Sequence, residues 1–322
     1  MLTRRDVLLT SVAATLMLQL KSAFAKPSQP GTAVTFELPA GAVDCHTHIH
    51  GDPEQFPMFA GRVYTPEAAS PEEMKALHRA LGIQRVVIVT PSVYGTDNSA
   101  TLFGIKARGA DARGVAVIDD KTTDAQFDAM HEAGIRGIRV NLATVGANDP
   151  AVARSRVQAA IDRIKARGWH LQIYTNLPVV PAIKDIAAAS PLPLVFDHFG
   201  GAQAALGVEQ PGFADLVELV KTGKAYVKIS GAYRASTLGP DYPDAAPLAK
   251  ALIAANADRI VWGTDWPHPD SVTPAGKKPT DLTPLLQIDD GRLLNQLAIW
   301  APDAATRKKI LLDNPVRLYG FG

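Results

Sequence analysis

The sequence predicts an α/β fold, and within that class a closed (β/α)8 barrel of the TIM type. Eight short runs rich in β-branched residues alternate with longer amphipathic helical patterns, as in parallel sheets whose strands are joined by helices. Eight such units in about 280 residues fit a closed barrel better than an open doubly wound sheet. No glycine-rich dinucleotide fingerprint follows the first run, which further disfavours the open sheet.

The predicted strands and helices follow one another in a regular order. The strand-like runs are 42–46, 85–90, 114–118, 137–141, 170–174, 193–198, 225–230 and 259–264. Helical patterns cover 70–81, 123–133, 151–167 and 213–220, and final helices at 291–312 should close the barrel. Ser70 before Pro71, with Glu73 at the third helical position, predicts a capped helix start. The segments 51–69 and 267–284 are predicted to be long loops over the carboxyl end of the barrel.

The first 25 residues have the three parts of an export signal rather than those of a folded element. Arg4 and Arg5 precede an apolar run to Leu20, and Ala23-Phe24-Ala25 resembles a cleavage site. The paired arginines suggest the twin-arginine route and a periplasmic location. The apolar run is too short to be a comfortable membrane span, so we expect no stable membrane insertion after cleavage. Residues 26–41 are then a leader arm, and 42–322 form a single barrel domain.

Composition excludes several other classes of protein. The net charge is +1 and no basic block is present, so neither nucleic acid nor an anionic membrane is an expected partner. Cys45 is the only cysteine, so no intrachain disulfide can form. We expect Cys45 to be a small buried residue of the first strand. The sequence leaves the oligomeric state open.

Polar side chains stand at the ends of three of the predicted strands. His46 and His48 share one face of the first strand because alternate strand residues point the same way. His198 follows the sixth strand and Asp265 follows the eighth. Active sites of TIM barrels lie at the carboxyl ends of the strands, so these four residues are candidates for one site.

Motifs along nearly the whole mature chain resemble those of the amidohydrolase superfamily, and within it the 2-pyrone-4,6-dicarboxylate lactonase group. The segments that carry this resemblance are 43–48, 62–66, 91–92, 95–98, 137–141, Tyr174, 196–200, 228–234 and 262–268. The resemblance implies a hydrolase that opens a carboxylated lactone, a small-molecule substrate.

The resemblance also implies a role for individual side chains. Asp265 would take a proton from water, and His46, His48 and His198 would polarise the lactone carbonyl. Five further residues would bind the substrate, the two arginines by gripping a carboxylate and the others by neutral hydrogen bonds: Arg139, Arg234, Tyr64, Ser92 and Tyr174.

Two positions depart from the pattern of the dicarboxylate lactonases. The pattern has further arginines where this chain has Val145 and Gly201. Each lost charge-assisted contact removes on the order of 1.5 to 3 kcal/mol of binding energy. We therefore expect a lactone with one carboxylate, or a sugar-acid lactone.

The sequence leaves the metal question open. The resemblance favours catalysis without a cofactor, whereas His46, His48, His198 and Asp265 would be the ligands if Zn²⁺ is bound. The fourth strand has no lysine for a metal site, and His170 lies at the wrong end of the fifth strand.

The other histidines have less specific expectations. Two in helical patterns, His78 and His131, are expected to be solvated or to cap a helix end. His50 and His268 are expected on loops near the mouth of the barrel, where they could contact substrate.

Three alternatives to a lactone hydrolase remain at this point. The first is a zinc-dependent hydrolase or decarboxylase of the same superfamily. The second is a sugar-acid lactone isomerase, which would release no acid. The third is a periplasmic barrel that binds a carboxylated ligand without reacting.

Overall fold

The computed structural model of the chain describes residues 26–144, 146, 149–273 and 275–322. Two predicted features, the signal peptide at 1–25 and the departure at Val145, lie outside the described residues.

Eight parallel strands form one sheet in chain order, which confirms the predicted barrel. The strands are β1 Val43–Thr47, β2 Arg85–Val89, β3 Ala112–Ala116, β4 Ile135–Asn141, β5 His170–Tyr174, β6 Leu194–Phe196, β7 Ala225–Ser230 and β8 Ile260–Gly263. Most bounds agree with the predicted runs to within two residues. β3 ends earlier than predicted because the Val117 N–H donates to the Asn98 side chain rather than to a neighbouring strand.

The barrel closes where β1 meets the segment that follows β8. The Asp265 N–H donates to the His46 carbonyl at 2.8 Å, and the His48 N–H donates to the Trp266 carbonyl at 2.8 Å. The buried Asp44 carboxylate reinforces this seam by accepting from the backbone N–H groups of His46 and Thr264. Closure therefore places the candidate base directly beside the two histidines of β1.

Helices surround the sheet, and the principal ones are α1 Pro71–Leu81, α2 Ser99–Arg108, α3 Asp124–Glu132, α4 Pro150–Ile164, α5 Val180–Ala189, α6 Phe213–Lys221, α7 Ala246–Asn256 and α8 Asp290–Trp300. Shorter helices at Ala304–Lys308 and Asn314–Tyr319 follow. The Ser70 side chain accepts from the Glu73 N–H, and the Glu73 carboxylate accepts from the Ser70 N–H, as the sequence predicts for the start of α1.

Among the described residues, apolar side chains fill two main cores, and a minor third cluster that includes Phe56 and Tyr94 lies at the loop after β1. The larger core lies between the sheet and its helices. The smaller core fills the interior of the barrel with strand residues such as Val43, Val87 and Val195, and with Tyr319 and Phe321 from the end of the chain. Cys45 is buried in this inner core, as predicted.

The two long loops and the leader arm are held by specific contacts. Thr65–Pro66 in the first loop pairs with Leu282–Thr283 in the second, which ties the loops together. In the leader arm, the Ser28 carbonyl accepts from the Trp266 indole at 3.2 Å. Throughout the described part of the chain, no helix has the length and apolar character needed to cross a bilayer.

Candidate active site

Three imidazoles and one carboxylate converge at the carboxyl end of the barrel. The Asp265 Oδ1 atom lies 3.6, 3.5 and 3.7 Å from the Nε2 atoms of His46, His48 and His198. The Nε2 atoms of His46 and His48 are 3.3 Å apart. All four residues are at least 96% buried, with exposures of 0 to 4%. The four strand-end residues singled out in the sequence thus form one cluster.

The outer nitrogen of each imidazole faces a hydrogen-bond acceptor. His48 Nδ1 lies 2.8 Å from the Val89 carbonyl, and His198 Nδ1 lies 3.0 Å from Ser230 Oγ. His46 Nδ1 lies 3.3 Å from Asp197 Oδ1, an acceptor, and 3.3 Å from Lys228 Nζ, a donor. A neutral ring that donates from Nδ1 presents a lone pair at Nε2. His48 and His198 then present Nε2 lone pairs to Asp265, and His46 does so in the tautomer that donates to Asp197.

This donor set fits a zinc ion. Ligand atoms of His46, His48 and Asp265 lie within 4.8 Å of one another, and three protein ligands with an open position are typical of catalytic zinc. His198 Nε2 lies 3.7 Å from Asp265 Oδ1, which is buried without a hydrogen-bond donor among the described residues. Each ligating imidazole would keep its Nδ1 contact, which orients the ring. The same arrangement also fits a proton on one imidazole, so metal-bound and metal-free chemistry both suit these side chains.

The second oxygen of Asp265 is held by two donors. Tyr233 donates its hydroxyl to Oδ2 at 2.6 Å, and the Arg234 Nε–H donates to the same atom. Burial alone would raise the pKa of Asp265, but the Arg234 charge and His198 hold it well below its ordinary value. Asp265 adopts a left-handed φ of 67°, which turns its side chain out of the strand direction. Asp265 is therefore ionised, with one oxygen fixed and the other turned towards the histidines.

A second ionic cluster lies deeper in the barrel, beneath the histidines. Asp197 Oδ2 accepts from Arg139 Nε at 3.0 Å and from Gln172 Nε2 at 2.9 Å. Lys228 Nζ donates to Gln172 Oε1 at 2.7 Å and lies 3.5 Å from Asp197 Oδ1. Asp197 also contacts the outer nitrogen of His46, so this cluster supports the ring from below.

Burial and charge oppose each other within this deeper cluster. Burial lowers the pKa of Lys228, and Asp197 counteracts that effect. Burial would raise the pKa of Asp197, but His46, Lys228 and Arg139 hold it well below its ordinary value. The ion pairs therefore keep charged groups in a site from which water is largely excluded.

Arg139 and Arg234 both line the pocket, and their terminal amino groups could bind a substrate. Among the described residues, the terminal amino groups of Arg139 make no hydrogen bond, and its guanidinium lies 4.9 Å from the centre of the Tyr174 ring. The terminal amino groups of Arg234 reach Ser271 Oγ and the Pro269 carbonyl at 3.4 and 3.3 Å, which are long bonds.

Eight of the nine predicted site residues line one pocket: His48, Tyr64, Ser92, Arg139, Tyr174, His198, Arg234 and Asp265. His46 lies behind this wall and is fully buried. Burial raises the pKa of Tyr64, so this phenol is a hydrogen-bond donor at neutral pH. The structure brings these residues together, and their individual roles stay predictions.

Three other histidines differ from expectation. His78 is fully buried and bonds Asp44 at 3.1 Å, so it is not a solvated or capping group. His268 is also fully buried and bonds Asp290 at 3.0 Å, while His50 packs beside His48 at 6.3 Å between ring centres. Neither His50 nor His268 lines the pocket. Closure of the barrel and packing of α1 and α8 bury these rings.

The last two histidines agree with expectation. His131 is exposed, and His170 lies at the opposite end of the barrel against Tyr319.

Four residues of the site had no predicted role: Asp197, Gln172, Lys228 and Tyr233. Strand alternation offered a signal for two of them. Lys228 stands alone in a run of β-branched and aromatic residues, and Gln172 shares the face of Tyr174 two positions later. The pairing of Lys228 with Asp197, however, joins residues of different strands and leaves no local pattern.

Gly201 explains one departure from the lactonase pattern. Its φ is 79°, and a Cβ atom there would lie 2.2 Å from the Thr175 carbonyl oxygen. A side chain of any size would displace the backbone of the neighbouring loop. An arginine therefore does not fit at this position while the loop keeps this conformation.

The chain is similar to known proteins in both sequence and structure. The family model for amidohydrolases matches residues 43–321. The chain is 35% identical over 305 residues to a 2-pyrone-4,6-dicarboxylate hydrolase from Comamonas testosteroni, covering 92% of this chain and 94% of the relative. It is 34% identical over 300 residues to a 4-sulfomuconolactone hydrolase from Rhizobium radiobacter, covering 91% and 95%. An apo crystal structure from Agrobacterium tumefaciens superposes with a TM-score of 0.77 at 29% identity, covering 91% of this chain and 98% of that one.

Proposed function

The chain belongs to the amidohydrolase family, and on that premise we propose that it hydrolyses a lactone carrying one carboxylate. The observation that carries the proposal is the convergence of Asp265, three histidines and two arginines on one pocket. Similarity to hydrolases of a pyrone dicarboxylate and of a sulfomuconolactone supports a lactone as the substrate.

Asp265 would activate the hydrolytic water. Its Oδ1 atom has lone pairs directed at the cluster, while Tyr233 and Arg234 hold Oδ2. A carboxylate with a low pKa is a weak base. When a substrate carboxylate binds Arg139 in the same pocket, its negative charge disfavours the ionised form of Asp265 and makes Asp265 more basic. Substrate binding and base strength are thereby coupled.

The charges around the pocket match a single anionic group. Arg139, Arg234 and Lys228 carry three positive charges, and Asp197 and Asp265 carry two negative charges. The remaining charge of +1, with neutral histidines, is balanced by one carboxylate. A guanidinium presents parallel donors to a carboxylate, and the terminal amino groups of Arg139 can accept it without breaking an existing bond.

The histidines would stabilise the oxygen on which negative charge develops as water adds to the carbonyl. Tyr64, Ser92 and Tyr174 line the same pocket and would orient the ring. A zinc ion held by His46, His48, His198 and Asp265 would supply Lewis-acid polarisation and a more acidic water.

Acid release from a panel of mono- and dicarboxylated lactones tests the proposal. We expect monocarboxylated lactones to be opened with acid release, and Asp265→Asn to lower kcat by about 10² to 10⁴-fold. Glu54→Gln, an exposed carboxylate on the loop after β1, is the matched control and should keep full activity. Conversion without acid release would make the protein an isomerase. Lactone binding without any conversion, by the wild-type protein and the variant alike, would refute the proposal that the protein is an enzyme.

Elemental analysis and a chelator decide whether a metal takes part. Activity that survives chelation in protein without stoichiometric metal would support metal-free hydrolysis. Stoichiometric zinc with chelator-sensitive activity would assign His46, His48, His198 and Asp265 as ligands.

We also propose that the protein reaches the periplasm by the twin-arginine route. The paired Arg4 and Arg5 and the Ala23-Phe24-Ala25 segment support this proposal. Replacing both arginines with lysine should retain the protein in the cytoplasm with an uncleaved N-terminus, as fractionation and mass spectrometry would report.

A further inference from the structure

A large cavity opens directly beside the catalytic pocket. The pocket next to Asp265 leaves about 20 Å³, which is space for roughly one water molecule. The neighbouring cavity measures about 840 Å³ and lies between the loop after β1, the ends of β2, β3 and β4, and helix α4. Ser92, Arg139 and Thr144 line both spaces, so the two adjoin at these residues. The smaller space is too small for a lactone ring, so the larger one is the neighbouring space into which a bound lactone can extend.

The walls of this cavity are mainly apolar. Phe59, Val63, Val117, Ile138, Val140 and Ala160 contribute to them. Phe59 is 50% exposed and Val63 is 37% exposed, so both present apolar surface to the solvent in the cavity. Water in contact with such walls would be released when an apolar group enters.

The lining carries three acidic and three basic side chains. Asp97 accepts from the Ser99 N–H at 2.8 Å and Asp119 from the Lys121 N–H at 3.0 Å, so these two carboxylates are engaged in local structure. Asp120 and Arg156 are exposed at the outer part of the lining, and Arg163 donates to the Thr122 carbonyl. Arg139, at the junction with the catalytic pocket, has terminal amino groups that make no hydrogen bond to described residues. The lining thus combines Arg139 near Asp265 with a mainly apolar surface whose other charged groups are engaged or exposed.

From this arrangement we propose that the substrate is a carboxylated lactone with an apolar alkyl or aryl substituent that fills the cavity. The proposal rests on the proposed lactonase function and extends it to a substrate class. The lactone carbonyl lies beside Asp265, the carboxylate meets Arg139 at the junction, and the substituent packs against Phe59, Val63 and Val140. A compact pyrone would leave most of the 840 Å³ unfilled.

Binding of cyclopentanone carboxylates tests the substituent, because replacing the ring oxygen with carbon makes these analogues resistant to hydrolysis. Calorimetry would compare analogues with hydrogen, propyl, hexyl and phenyl substituents on the full mature protein. We expect affinity to rise about three- to four-fold for each methylene added until the cavity is full. Affinity that does not change with substituent length would overturn the proposal.

Two tryptophan variants on one helix locate the effect. Ala159 is an exposed residue of α4 that lines the cavity, and Ala151 is an exposed residue of α4 that does not. Ala159→Trp should abolish the gain from hexyl and phenyl groups and leave the unsubstituted analogue within about three-fold, whereas Ala151→Trp should keep the full gain. Equal behaviour of the two variants would overturn the proposal. Turnover of the unsubstituted lactone, measured in parallel, reports on the lactonase function separately from this binding series.

Discussion

The buried pair of Lys228 and Asp197 offers the sharpest test of how the site is held together. Lys228 Nζ lies 3.5 Å from Asp197 Oδ1, and both side chains have no exposed surface. At this distance, and with an effective dielectric constant of about 20, the attraction is about 5 kcal/mol. Removing Lys228 takes away one of the two cations beside Asp197, which keeps its ion pair with Arg139. We expect Lys228→Met to lower the free energy of unfolding by about 1.5 to 3 kcal/mol, the range for a lost charge-assisted contact.

The companion variant Asp197→Asn should cost at least as much, because both Lys228 and Arg139 lose their shared counter-ion. In the double variant, the two losses should not add, and we expect a coupling energy of about 2 kcal/mol or more. Urea unfolding followed by circular dichroism, with all four proteins at pH 7, measures the cycle. Arg154→Met, which breaks an exposed ion pair with Asp185, is the control and should leave the urea midpoint nearly unchanged. Additive losses, or an unchanged urea midpoint for Lys228→Met, would refute the reasoning.

Three further perturbations have defined outcomes. Burial lowers the pKa of His170 from 6.5 to about 3, so the unfolded chain takes up a proton first as pH falls and stability is lost below pH 6.5. Urea unfolding should show that His170→Leu removes about 2 kcal/mol of the loss between pH 6.5 and 4.5, and an unchanged pH slope would contradict this. Asp44→Asn should lower the melting temperature by several degrees in a thermal scan, since the carboxylate joins His78 and the Thr264 hydroxyl, whereas an unaltered melting curve would mean that the seam does not depend on it. Ser70→Ala should cost about 1 kcal/mol in urea unfolding through loss of the α1 cap, and a loss above about 2 kcal/mol would point to a contact other than the cap.

Features that depend on neighbouring residues in the chain could be predicted from the sequence. Strands and helices have different hydrophobic periodicities, so the eight strand–helix units could be recognised in the sequence. The Ser70 cap could be recognised from the residues that follow it. His46 and His48 share a face by strand alternation alone. Because every parallel strand of a barrel ends at the same rim, the ends of β1, β6 and β8 could be assigned to one site before any contact was known.

Features that depend on closure of the barrel could not be predicted in this way. His78 has the pattern of a surface helix residue, yet packing of α1 against the seam brings it to Asp44 and excludes water. Lys228 and Asp197 lie on neighbouring strands at a depth that register determines, and no local spacing encodes that pairing. The cavity beside Asp265 is formed by one loop, three strand ends and a helix.

The sequence by itself therefore determined the fold class, the family resemblance and the rim of the barrel at which the candidate site lies. The tertiary structure decided which oxygen of Asp265 is held by Tyr233 and Arg234, and how much space lies beside the other. The physical reason is that secondary structure and side-chain alternation are set over a few residues, whereas burial, ion pairing and cavity shape arise when segments far apart in the chain exclude water together.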